Sequence, residues 1–167
     1  IARSNYQKSE LMTRWAFKAE LQRQAGDALA SLATYREALA FGQRDGQLDP
    51  EMELPLRLGQ FRLTDDNQER TEALRRALSL LKDRLATRSR RWRGEAMRLF
   101  SELPYPSDDA AGLELEKEIC EAVAVLLLSM PPGHSVMTET LMRRGARLFE
   151  MQREARAFRR LAAGQYC

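Results

Sequence analysis

The chain has little of what strands, disulfide scaffolds and most active sites are built from. Its 167 residues include three Val and two Ile, and no stretch alternates apolar with polar residues as a half-buried strand would. There are two cysteines. Cys120 sits inside the apolar run 119–128 and reads as a buried thiol, while Cys167 is terminal. Neither fits a disulfide framework or a metal-ligand spacing, so a reducing, cytoplasmic compartment is expected. The longest apolar run, 122–128, is far too short to cross a membrane. No signal peptide is visible. The first residue is Ile1 rather than Met, which reads as a piece of a longer protein whose targeting signals can lie upstream.

Catalytic chemistry is equally short of material. The one histidine, His134, stands in a Pro131-Pro-Gly-His loop, where helix entry is the simpler role. No Ser/His/Asp or Cys/His set and no glycine-rich phosphate loop is apparent. The pairs Asp65-Asp66 and Asp108-Asp109 read as turn and cap residues rather than metal ligands. No enzyme activity, cofactor or metal is therefore expected.

What is abundant is Ala, Leu, Arg, Glu, Gln and Met, all good helix formers. The chain reads as all-α. Ser9 is a candidate cap for a first helix carrying Leu11, Trp15 and Ala19, with residues 1–8 frayed. Gly26 would end that helix and Asp27 would cap a second, whose inner face holds Leu32, Tyr35, Ala38 and Leu39. Gly42 and Asp45-Gly46 turn the chain. Asp49-Pro50 opens a third helix, Pro55 kinks it or forms its first turn, and Thr64-Asp-Asp-Asn starts a fourth. A further helix carries Trp92, Ala96, Leu99 and Phe100. Leu103-Pro-Tyr-Pro-Ser-Asp-Asp is the longest loop, and a long helix follows from about residue 111 to 130. The Pro131-Pro-Gly-His-Ser break is followed by a closing helix pair, 136–151 and 154–163.

A bulky residue with a small one four later recurs in the first helix of each pair. Trp15/Ala19 and Trp92/Ala96 show it best, Leu141/Gly145 shows it with a leucine, and Pro55/Gly59 keeps only the glycine. A small residue lets a paired helix approach closely, and the large neighbour fills the groove beside it. With Gly26, Ser31, Tyr35 and Ala38 added, the stretch 15–39 resembles the tetratricopeptide (TPR) repeat family. Leu141, Gly145, Leu148, Ala157, Leu161 and Gly164 match its pattern too, with Gln152 where glycine is usual. Residues 50–83 keep Gly59, Leu74 and Ala77 across a longer turn. Residues 90–130 keep Trp92, Ala96 and Leu99, then insert the proline-rich loop. The spacing is irregular, and prolines are absent after Leu39 and Ala77, where such repeats often close.

The resemblance implies a right-handed α-solenoid of about seven or eight helices in one domain, 1–167. Its hairpins would lie at about 9–42, 50–85, 88–130 and 135–164, and a non-repeating helical bundle is the alternative. It further implies a protein–protein interaction or scaffolding module that grips a peptide or helix of a partner on the first helix of each pair. Carried onto matching places, the contacts would be Glu20, Arg23, Gln24 and Gln60, with Met142, Arg143, Ala146, Phe149 and Glu150 on the last pair. These residues do not form the carboxylate clamp of chaperone-tail binders. The mixed apolar and charged group around Phe149 suits a partner or self-association equally.

Of 27 basic residues, 23 are Arg. Between 70 and 98 basic residues outnumber acidic ones by seven, and between 102 and 121 acids lead by six. The simplest account is pairing within the chain. The alternative is a regulatory helical domain that contacts nucleic acid or another polyanion through Arg84, Arg88, Arg90, Arg91 and Arg93. Only Trp92 is interleaved with these arginines, and its helical register makes it core.

Overall fold

The computed structural model describes residues 2–44, 48–87 and 90–162. The described residues form helices and no strand: α1 (Ala2–Gln24), α2 (Ala28–Gln43), α3 (Pro50–Leu63), α4 (Asn67–Ala86), α5 (Arg93–Glu102), α6 (Ala110–Ser129) and α7 (Ser135–Ala162). None is long and apolar enough to cross a membrane. They cluster into two compact units, 1–80 and 81–167, with the division inside α4.

The local signals that start and stop these helices act as chemistry requires. Gly26 takes φ +83°, a left-handed conformation that costs glycine little, and closes α1. The Asp27 carboxylate then accepts from the Ala30 amide at 3.0 Å. Asp49 accepts from the Glu51 amide at 2.9 Å ahead of Pro50. Asp66 and Asp109 accept from Glu69 and Gly112 at 2.8 and 2.7 Å, so both aspartate pairs serve as helix starts. Pro55 lies within the continuous helix α3.

Two boundaries differ from the sequence expectation. α1 begins at Ala2 rather than Ser9. Ser9 is mid-helix, its carbonyl accepting from the Thr13 hydroxyl, and no Gly or Pro precedes it to stop the helix. The closing pair is one continuous helix, so 135–164 is not a hairpin. Gln152 stands where a turn glycine was needed, and nothing else nearby breaks the backbone hydrogen bonding. The expected turn at Asp45-Gly46, together with Gly164 and Cys167, lies outside the described residues.

In the first unit α1 and α2 form a hairpin, and α3 packs against both. Met12, Ala19, Tyr35, Ala38, Leu39, Leu48 and Leu56 make the core, with Trp15 and Phe41 set edge to face at 5.0 Å. The hairpin closes tightly because its seam is small: the Ser31 hydroxyl reaches the Ala19 carbonyl at 2.7 Å, both residues fully buried. α3 seats through Gly59, where a Cβ would stand only 2.5 Å from Cε2 of Tyr35. Gly42 lies in the last turn of α2, one residue before its end. A Cβ there would press on Leu48 and Met12.

Between α3 and α4, buried Glu53 receives a two-pronged contact from Arg76 at 2.8 and 2.7 Å, and Arg57 joins at 3.2 Å. Burial alone would raise the Glu53 pKa, but the two guanidinium groups hold it below the ordinary value.

In the second unit α5 and α6 pack together, and α7 packs against both. Trp92, Ala96, Leu99, Phe100, Ile119, Val123, Leu126 and Met137 are buried. Trp92 stands at the N-cap of α5 rather than inside it. Gly145 does not repeat the role of Gly59, since a Cβ there would meet nothing within 4 Å.

Candidate interaction surfaces

Glu20, Arg23 and Gln24 come together on the last turns of α1. The Arg23 guanidinium grips the Glu20 carboxylate at 2.8 and 2.6 Å, and the Gln24 amide donates to it at 3.0 Å. The bond from Arg23 chiefly holds the Glu20 carboxyl down at about 2. The three form a cluster at the surface, hydrogen-bonded to one another.

Gln60, expected beside them as a ligand contact, is buried instead, with 8% of its surface exposed. Its amide nitrogen donates to Glu69 at 2.9 Å and its oxygen accepts from Arg57 at 3.2 Å. Glu69 is the hub of that network. It is gripped by Arg36 at 2.7 and 2.6 Å and accepts from the Thr64 hydroxyl at 2.5 Å. Arg36, with help from Thr64 and Gln60, holds its carboxyl at about 2. Gln60 is therefore a structural link between α3 and α4, not an open contact.

Among the described residues the arginines near Trp92 differ in exposure, Arg90 and Arg91 being exposed and Arg84 and Arg93 half-buried. Arg93 turns inward and donates to the Ser129 carbonyl at the end of α6, where the helix dipole favours a cation. Arg91 lies over the Trp92 ring at 5.0 Å. Arg84 is half-buried, Arg90 is exposed, and Arg88 lies outside the described residues. Some of the expected pairing between basic and acidic stretches is present, with Lys82 on α4 meeting Glu121 on α6 at 3.3 Å.

On α7, Met142, Arg143, Ala146, Phe149 and Glu150 are all exposed. Met142 keeps 70% and Phe149 63% of its surface open. Seven residues apart, they share one face at about 100° per residue. That face is opposite the one that buries Met137, Thr140, Arg144 and Met151. Arg153, Arg156 and Arg160 continue the outer face, and a recess of about 470 Å³ lies beside Phe149 among them.

The inner face of α7 holds what sequence reasoning missed. Arg144, 3% exposed, meets the fully buried Glu116 of α6 at 3.1 and 2.9 Å. Its other nitrogen donates to the Leu103 carbonyl. Arg147 donates to the Pro106 carbonyl at 3.0 Å and to Asp108 at 2.7 Å. Both guanidinium groups lie over the Tyr105 ring, at 5.0 and 4.8 Å. The proline-rich loop is thereby strapped to α7. A Glu among the apolar residues of α6 and an Arg beside Gly145 were the available signals. Neither type is buried often enough to be read that way without its partner.

Between the first turns of α6 and the second half of α7 lies a groove of about 590 Å³. Leu113, Met151, Ala110 and Ala155 supply its apolar lining, and Asp108, Asp109, Glu114 and Glu154 its acidic rim. Among the described residues no group of His, Cys, Asp and Glu is arranged to hold a metal ion. No family model, curated protein or solved structure matches the chain.

Proposed function

We propose that the chain is a protein–protein interaction module that binds a peptide or helical segment of a partner, and that the outer face of α7 is its principal contact. The observation that carries this reading is the exposure of Met142 and Phe149 on one face of a helix whose opposite face is packed. Large apolar side chains left open at helical spacing suit insertion into, or against, a partner helix. Arg143 and the arginines beyond Phe149 add a charged border, as at a protein interface whose apolar centre has a polar rim. The resemblance of 15–39 to the TPR unit supports the same class of function.

The exposed Glu20, Arg23 and Gln24 form a secondary contact in this proposal, while buried Gln60 does not take part. The polyanion alternative draws less support, because Arg93 is spent on the end of α6 and Arg91 on Trp92. A reducing compartment suits the same reading, with the Cys120 thiol pushed up to about 11 by burial and by the nearby Glu116 carboxylate.

The test is affinity capture from cells of the source with the whole chain, alongside the Met142→Ser/Phe149→Ser variant. Both sites are exposed, so the variant should keep its helical circular dichroism and urea midpoint. A discrete partner held by the parent chain and lost by the variant supports the proposal. Equal capture by both moves the contact elsewhere, and steeply salt-dependent retention on nucleic acid favours the alternative.

A further inference from the structure

We propose that the groove between α6 and α7 seats a basic amphipathic segment of another protein, with an apolar side chain against the floor and Lys or Arg at the rim. This names a second contact and rests on the reading of the chain as an interaction module.

The floor is Leu113, Met151, Ala110 and Ala155, a surface that favours an apolar insert. The rim carries four carboxylates, and two of them are already engaged. Asp108 is paired with Arg147, and Asp109 accepts from the Gly112 amide and the Ser107 hydroxyl. Glu114 and Glu154 have no ion-pair partner among the described residues and face the groove from opposite helices. An occupant that places one cation at each side and an apolar group between them satisfies both. The negative rim repels nucleic acid and acidic peptides.

The volume, about 590 Å³, suits one or two inserted side chains rather than a whole domain. The strap of Arg144 and Arg147 on the loop 103–108 fixes the Asp108 end of the groove, so it is largely formed before anything binds.

The test uses the full chain and a fluorescein-labelled synthetic helical peptide with two leucines four residues apart, flanked by arginines. Fluorescence anisotropy should show saturable binding that weakens as salt rises. The Glu114→Lys/Glu154→Lys variant should bind the peptide at least about tenfold more weakly. A matched peptide with glutamates in place of the arginines should bind that variant and not the parent. Circular dichroism and the urea midpoint check that the variant is folded.

No saturable binding up to about 1 mM peptide overturns the proposal, as does binding that the charge reversal leaves unchanged. Concentration-dependent self-association of the parent chain, abolished by the same charge reversal, also overturns it by assigning the groove to a second copy. The two readings fail separately. Capture that depends on Met142 and Phe149 survives if only the groove reading is wrong. Peptide binding to the groove survives if only the outer face of α7 is misassigned.

Discussion

Each unit packs three helices against one another, and the chemistry at the seam is opposite in the two. In one unit α1, α2 and α3 pack against one another, and in the other α5, α6 and α7 do. In the first, the third helix seats by subtraction, since Gly59 removes a side chain so that the Tyr35 ring can lie on the backbone. In the second it seats by addition. Arg144 fills the seam and is neutralised by Glu116, with the Leu103 carbonyl taking another donor. A glycine seam tolerates no extra atoms. An ionic seam tolerates no missing partner, because the charge left behind is buried. The two seams therefore carry different vulnerabilities.

The largest effect should come from breaking the ionic seam. Arg144→Met or Glu116→Leu alone should each cost about 3–5 kcal/mol, because one buried charge loses its partner. The pair together should recover most of that loss. Urea denaturation of the two singles and the double completes the cycle. Single losses under about 1 kcal/mol would show that water reaches the pair.

Next comes the glycine seam. Gly59→Ala should cost about 1–3 kcal/mol by overpacking against Tyr35, and Gly59→Ala/Tyr35→Leu should cost less than the sum of its parts. Strict additivity of the two changes would mean that the close approach is not what fixes α3.

A pH titration separates the units by a smaller margin. Glu69, held at about 2 by Arg36 against an ordinary 4.5, contributes stability that is fully present above pH 4.5. It is lost progressively as the pH falls towards 2. Glu69→Gln should flatten that part of the acid-unfolding curve. An unchanged curve would assign the acid sensitivity to other carboxylates, such as Glu20, held at about 2 by Arg23, or Glu53, held low by Arg76 and Arg57.

The smallest effect should be at Gly145. With nothing within 4 Å of an added Cβ, Gly145→Ala should be neutral or stabilising by up to about 1 kcal/mol through helix propensity. A loss comparable to that of Gly59→Ala would mean that the two glycines serve one role after all.

How much of this was legible in the sequence follows the same division. Helix starts and stops are local chemistry, and Gly26, Asp27, Asp49-Pro50, Asp66 and Asp109 declared themselves by residue type alone. Ala19, Ser31 and Gly59 were legible as small residues by spacing, but the seating of Gly59 on Tyr35 of α2 was not, since Gly59 was expected to serve the hairpin 50–85. The ionic seam was not, because Glu116 and Arg144 lie 28 positions apart and each by itself reads as a surface residue. Gln60 misled for the same reason: a polar residue on the first helix of a pair looks exposed until Glu69 and Arg57 are placed against it. Gly145 misled in the other direction, since its spacing matched and its surroundings did not. The continuous α7 was not legible as one helix, because the spacing of Leu141, Gly145, Ala157 and Leu161 suggested a turn that no glycine or proline between Gly145 and Ala157 provides.

The most direct test of the functional account is a photo-crosslinking amino acid placed at 149 on α7, compared with the same group at 72 on α4, in cells of the source. The expected result is one discrete cross-linked protein at position 149, absent from position 72 and lost when Met142 is changed to serine. Equal cross-linking at both positions, or a product that Met142→Ser does not diminish, would contradict the claim that the outer face of α7 is the binding surface.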